Sequence, residues 1–289
     1  MDQERQTKVA SALQQYRETV SQHNIMLIRA VVRGVETQPV PPSWSEKDAQ
    51  QLRMQEFCRV LQVNIPESVT ARQILHDDDV LAELIQRYDL DGVVAPNPDN
   101  LEQREEFFAN IRKHIPETVD LAEFPPADLA YLCTLVSGIT GPGISYHRYS
   151  QQFDFISPIK DAQQLEKTLE GVVVPIRSDY SVWPLPPSEP GVTYNQLTDI
   201  WEDWEIAVVF NLGRGPRVGG GYALYCRREA ANDEAFKWRY GVQDEEWYSD
   251  VYDSIEEFLG FYAHFNEQTE QEIAGDIRPL IRGRVGYYE

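Results

Sequence analysis

The hydrophobic pattern of this chain changes part-way along from a helical to a strand-like period. Up to the triplet Gly141-Pro142-Gly143 the apolar residues recur every three or four positions, as on a helix face. Beyond it they gather into short blocks rich in Val, Tyr, Phe and Trp, as in strands. A helical portion must therefore precede a portion that carries strands, with a tight, conformationally demanding turn between them.

Residues 3 to 33 predict one long helix. Val9, Leu13, Tyr16, Val20, His23, Leu27 and Ala30 fall on alternating steps of four and three, about three heptads, and Gly34 is expected to end it. Such a stripe serves either a helix laid on its own domain or a homodimer through the N-terminal helix, and the first is the ordinary use. The proline-rich PVPPSW, residues 39 to 44, marks the first boundary. Ser45 with Asp48 opens a second helix that Pro66 is expected to stop. Thr70 with Gln73 caps a third, and Asp77 to Asp79 open a fourth. Asn100 opens a helix carrying Leu101, Phe107, Phe108 and Ile111, with Lys113 and His114 in its last turn and Pro116 closing it. In FPPADLAYLCTLVSGITGPG, residues 124 to 143, Pro126 suits the first helical position and Gly138 a left-handed stop.

In the second portion, ISYHRYSQQFDFI and GVVVPIRSD are expected strands, with a helix KDAQQLEKTLEG between them. VWPLPPSEPG, residues 182 to 191, has four prolines and reads as a long loop. WEIAVVFNLG, GGYALYCRRE and AFKWRYGV predict three strands in close succession, which antiparallel hairpins accommodate. Ser254 with Glu257 is a capping box for a closing helix, SIEEFLGFYAHF. The last 24 residues are weakly patterned.

Charge narrows the function. The chain has 26 Lys and Arg against 47 Asp and Glu, a net charge of −21. Its long-range field repels nucleic-acid backbones and anionic membranes and favours a basic protein partner. Six Trp, 15 Tyr and 11 Phe supply core mass that argues against whole-chain disorder. The start, MDQERQTK, lacks the positive and then apolar pattern of a signal peptide, and no segment approaches 18 uncharged apolar residues, so a soluble, cytoplasmic protein is expected. Cys58, Cys133 and Cys226 share no zinc-site spacing and are expected as buried thiols.

No strong catalytic or metal motif stands out. GRGPRVGGG, residues 213 to 221, lacks the third glycine of a dinucleotide fingerprint, Val218 standing in its place, and the Lys-Ser/Thr pair of a P-loop. It reads as a glycine-rich hairpin on which Arg214 and Arg217 are available to grip an anion. DEEWYSDVYDSIEE, residues 244 to 257, has seven acids and no base, interleaved with Trp247, Tyr248 and Tyr252. It reads as a solvated approach to a helix N-terminus, as a protein-binding patch, or as a magnesium site. Asp89, Asp91 and Gly92 open like a calcium loop but lack its later ligands. Of the five histidines, His147 is the one to test as a base.

Three passages carry a family resemblance. FPPADLAYLCTLVSGITGPG is a proline-led helix that ends at a small residue plus Gly before a glycine-containing turn. GGGYALYC is a glycine-led aromatic strand, and YDSIEEFLGFY is a closing helix that begins at Ser and carries a Glu-Phe-Leu step. In this order, over about residues 100 to 265, they resemble the SUKH superfamily, which includes the yeast-type regulator of cell-wall synthesis and bacterial immunity proteins against nuclease toxins. The resemblance implies an α+β fold, a mixed or antiparallel central sheet flanked by helices, and a binding module with no catalytic residues and no cofactor. The roughly 100 residues of helical N-terminal extension and the proline-rich loop after Trp183 depart from the compact module. The extension fits the elaborated eukaryotic, especially fungal, branch of that family.

The expected organisation is a long N-terminal helix (1–38), a helical extension (39–99), a SUKH-like α+β domain (100–265) and a C-terminal tail (266–289). The expected function is a non-enzymatic, regulatory or scaffold interaction protein. Its face for a basic partner comprises Glu245, Glu246, Trp247, Tyr248, Asp250 and Asp253. Neutralisation of a nuclease toxin is a variant of that role. The rival reading is a metal- or nucleotide-dependent enzyme that uses Arg214 and Arg217 for an anion and Asp250 or Asp253 for magnesium.

Overall fold

The computed structural model of the protein describes residues 1–65, 69–115, 117, 119–121, 123–144, 155, 156, 203–213, 220–228, 234–243 and 248–278. Within these the chain is α+β, a series of helices with two small antiparallel sheets. It divides into two compact units. The first comprises Met1–Gln15, Val93–Thr140 and Gln152–Tyr262, and the second Tyr16–Gly92, Gly141–Gln151 and Ala263–Glu289.

Helix α1 runs over Gln3–Glu36. Its heptad stripe is an intramolecular face, with Val9, Leu13, Tyr16, Val20 and Leu27 all buried. Gly34 does not end the helix. It lies inside the last turn because Ile277 packs on it, so that a Cβ would collide with the Ile277 side chain.

In the second unit α2 (Glu46–Leu61) starts at Ser45, whose hydroxyl accepts from Asp48 N. It stops at Gln62, which takes a left-handed conformation (φ 54°), four residues before the proline expected to end it. The Thr70–Gln73 capping box opens α3 (Ala71–His76), and Asp77 caps α4 (Asp78–Arg87). These helices and the C-terminal half of α1 enclose one apolar core that includes Leu27, Val31, Val35, Phe57, Leu61, Ile74, Leu81 and Leu84. Burial of such side chains, about 1.5–3 kcal/mol each, is what holds the unit together. The weakly patterned C-terminus supplies a further helix, α8 (Glu270–Asp276), capped by a Thr269–Glu272 box and packed into this core through Ile273 and Ile277.

In the first unit β1 (Val93–Val94) pairs antiparallel with β2 (Gly138–Ile139). Gly138 is therefore a strand residue paired with Val94, not a left-handed stop, and α6 (Ala127–Leu135) ends instead at extended Val136. Helix α5 (Pro98–His114) begins three residues earlier than the apolar pattern predicts, because Asn97 caps it and Pro98 fills its first turn.

The main sheet is β3 (Trp204–Asn211), β4 (Gly220–Arg228) and β5 (Lys237–Gln243), antiparallel in the order β3-β4-β5. Val209 lies opposite Leu224 and Leu224 opposite Arg239, with an irregularity between Ile206 and Val208. One face carries Phe210, Trp238 and Tyr240 into an aromatic core with Phe108, Phe124, Phe155 and Phe258, where Phe210 and Phe108 meet edge to face at 6.3 Å. Phe258 comes from α7 (Ile255–Tyr262), which opens with Glu257 N donating to Ser254 Oγ. The other face carries a smaller cluster of Ile206, Val209, Tyr222, Leu224 and Cys226.

The expected strand GVVVPIRSD, the helix KDAQQLEKTLEG, the proline-rich loop and His147 lie outside the described residues, as does ISYHRYSQQFDFI apart from its two ends. Ile156, near the C-terminal end of that passage, bridges antiparallel to Ile139.

Candidate functional site

The expected partner face follows β5, and its described part is residues 248 to 253. This segment runs back along β5 and is pinned to it at two points. Tyr248 bridges Gln243, and Tyr252 exchanges both backbone hydrogen bonds with Tyr240. Between them Ser249 is buried. Its backbone N–H donates to the Val242 carbonyl, and its hydroxyl accepts from Val242 N and donates to the Asp250 carbonyl. The segment thus occupies the hydrogen-bonding edge of β5 and holds its own side chains in fixed positions.

From this support Tyr248 points to solvent with 51% of its surface exposed, one of three exposed large apolar side chains among the described residues, and Asp250 is exposed two positions on. Tyr252 turns inward, stacking on Phe261 at 4.9 Å. Burial, aided by the charge of Asp250, pushes its hydroxyl up to about 12.

Asp253 has a different occupation. Arg239, in the middle of β5, has a fully buried guanidinium 4.4 Å from the centroid of Trp204. Its Nε donates to Asp253 Oδ1 at 2.5 Å, its Nη1 to the Cys226 carbonyl at 2.6 Å, and its Nη2 to Glu234. Lys237 Nζ reaches the other Asp253 oxygen at 2.9 Å. Burial alone would raise the Asp253 pKa, but the hydrogen bonds from Arg239 and Lys237 outweigh it and hold the carboxyl below its ordinary range. A buried cation needs such compensation. Asp253 and Glu234 therefore serve the fold of the sheet by holding Arg239. The signal was present in the sequence as an arginine in the middle of an apolar strand, KWRYGV, which must find a counter-ion if the strand is buried.

Glu245, Glu246 and Trp247 lie outside the described residues, as do Arg214 and Arg217. Between β3 and β4, Leu212 N and Gly213 N both donate to the Gly221 carbonyl.

Among the described residues no group of three His, Cys, Asp or Glu side chains comes together in a way that could hold a metal ion, and no helix is long and apolar enough to cross a membrane. Asp91, read as a possible calcium ligand, is paired with Arg17 through a 2.8 Å bond from Nε. The Cys226 thiol, pushed up to about 12 by burial, stays protonated and unreactive at neutral pH. Cys133 is also buried and Cys58 half-buried, and none of the three forms a disulfide.

Compared with protein-family models, curated proteins and solved structures, the chain has no match in any of the three.

Proposed function

We propose that this is a non-enzymatic interaction protein of SUKH type, acting in the cytoplasm in a regulatory or scaffold role. It captures a basic protein through the acidic, aromatic segment after β5. The observation that carries this reading is Tyr248, an exposed aromatic on a segment whose backbone is tied to β5 at Tyr248 itself and again at Ser249 and Tyr252, with exposed Asp250 alongside. A side chain presented from a fixed backbone loses little freedom on binding, and tyrosine is a frequent anchor of interfaces. The net charge of −21 supports the same reading, since it accelerates encounter with a basic surface, including the nucleic-acid-binding face of a nuclease toxin.

The test separates steering from anchoring. Tagged wild-type protein, the triple reversal Glu245→Lys/Glu246→Lys/Asp250→Lys and Tyr248→Ala are run through a lysate pull-down with stepped salt elution. The captured protein is then purified and its binding kinetics measured. Asp253 is left intact because it holds Arg239. The triple reversal is expected to slow association about tenfold at low salt and flatten its salt dependence, and Tyr248→Ala to speed dissociation instead. A partner that binds both variants as it binds wild type overturns the assignment of the face, and an uncharged or acidic partner overturns the electrostatic reading.

A further inference from the structure

We propose that His23 is an acid-operated latch, whose protonation frees the segment after α7 from α1 and with it the turn at Gly141–Ile144. All of its parts belong to the second unit.

The turn is held by side chains that take its backbone amides. Gly141 (φ 68°) donates its N–H to the Tyr16 hydroxyl, Gly143 (φ 117°) to Asn24 Oδ1 and Ile144 to Gln268 Oε1, each at 2.9 Å. Asn24 is fixed from its other end by its amide donating to the Leu90 carbonyl at 2.6 Å. Two of these three holders are directly preceded in sequence by an ionisable residue. His23 precedes Asn24, Glu267 precedes Gln268, and the two ionisable groups face one another.

His23 is nearly buried, its side chain 12% exposed. Its Nδ1 lies 4.0 Å from Glu267 Oε1, and the exposed His264 places its own Nδ1 2.7 Å from the same oxygen. One carboxylate oxygen thus faces two imidazoles. On the far side of the His23 ring, Nε2 is buried and has no hydrogen-bond partner among the described residues. A neutral ring can leave that nitrogen bare, but an imidazolium puts an N–H there, where none of the described residues offers an acceptor.

The groups that act on His23 agree with this geometry. Burial, the largest influence, disfavours its charged form. Glu267 and the backbone of Gln268 favour it, and His264 disfavours it. The net effect holds the His23 pKa below its ordinary value, so the ring is neutral at pH 7. Both imidazoles approach the same oxygen of Glu267. Glu267 Oε1 is already held by His264 at 2.7 Å and stands 4.0 Å from His23, so the His23 cation has no close counter-ion there and finds water by swinging out from between α1 and the segment 264–268. Gln268, the next residue along, then loses the amide of Ile144.

The test is a pH titration of the full-length, deuterated chain by NMR from pH 8 to 5, following the His23 ring and the amides of Gly143 and Ile144. His23 is expected to titrate below pH 6.5, with both amides shifting at the same midpoint, and His23→Gln to abolish the amide response. Two further variants keep the test sharp should that one fail to fold. His264→Gln removes a group that disfavours the His23 charge and should raise the midpoint, whereas Glu267→Gln removes the supporting carboxylate and should lower it. Amides that stay flat while His23 titrates, amides that respond unchanged in His23→Gln, or midpoints that do not move in opposite directions would overturn the latch.

Discussion

Arg239 Nε and Asp253 Oδ1 stand 2.5 Å apart, a fully buried guanidinium against a carboxylate that still reaches water. Removing the carboxylate's charge leaves the cation with Glu234 as its one remaining anionic partner among the described residues. Asp253→Asn is therefore expected to destabilise the fold by about 1–3 kcal/mol, below the full cost of breaking a buried pair because Asp253 is part-exposed. Asp250→Asn, at an exposed site, should stay within about 0.5 kcal/mol of wild type. Urea unfolding of the two variants side by side is the check. Equal losses would mean that Asp253 is an ordinary surface acid after all.

The hydroxyl of Tyr240 makes a second buried link, donating to Asp128 Oδ1 at 2.7 Å, while Arg5 reaches the other carboxylate oxygen at 3.3 Å. Tyr240→Phe keeps the ring in the aromatic core and removes only that bond, so a loss of about 1–3 kcal/mol is expected from the buried acceptor. Alkaline pH probes the same site without mutation. Burial, with the Asp128 charge beside it, raises the Tyr240 pKa well above the usual value, and burial likewise raises Tyr252 to about 12. The unfolded chain ionises these groups near pH 10 and the folded chain does not, so stability must fall as pH rises through 10. Tyr240→Phe should flatten that decline, and a slope unchanged by the substitution would contradict the assignment.

At the acid end the second unit has its own sensitive pair. Burial would raise the Glu56 pKa, but hydrogen bonds from the Arg59 side chain and from Arg278 N hold it below the ordinary carboxylate range. A depressed carboxylate contributes stability that is complete above its unfolded pKa, about 4.3, and lost as pH falls through the folded value. Glu56→Gln is expected to lower the unfolding midpoint at pH 7 and to have a shallower loss between pH 5 and 3. Parallel curves for the two proteins would exclude Glu56 from acid unfolding.

The contrast between what the sequence revealed and what it hid is physical. Thr70–Gln73, Ser45–Asp48 and the succession β3-β4-β5 were legible because caps and strand periods depend on residues close in the chain. Gly34 misled because its reason is a close approach by Ile277, which is distant in sequence. Helix α8 was missed because it is only seven residues long, although Thr269 and Glu272 offered a capping box. Asp253 looked like a free surface acid because its partner, Arg239, is 14 residues away in the chain and is itself hidden in a strand. Tyr248 and Asp250 are exposed as expected, yet the feature that makes them useful, the backbone tie of their segment to β5, has no local pattern in the chain.

Tyr16 shows how much one such distant contact can carry. Its buried hydroxyl accepts from Gly141 N at 2.9 Å and donates to the Gly92 carbonyl at 3.3 Å, two points separated by 49 residues of chain. Tyr16→Phe preserves the buried ring but leaves the Gly141 N–H without its acceptor. The expected cost is about 1–3 kcal/mol, dominated by that orphaned amide rather than by lost apolar contact. Hydrogen exchange separates this from a general weakening of the unit. In Tyr16→Phe the Gly141 amide should lose more protection than the Gly143 amide, whose acceptor on Asn24 is untouched. Equal loss at both would show that the turn opens as a whole and that the hydroxyl only contributes to its overall stability.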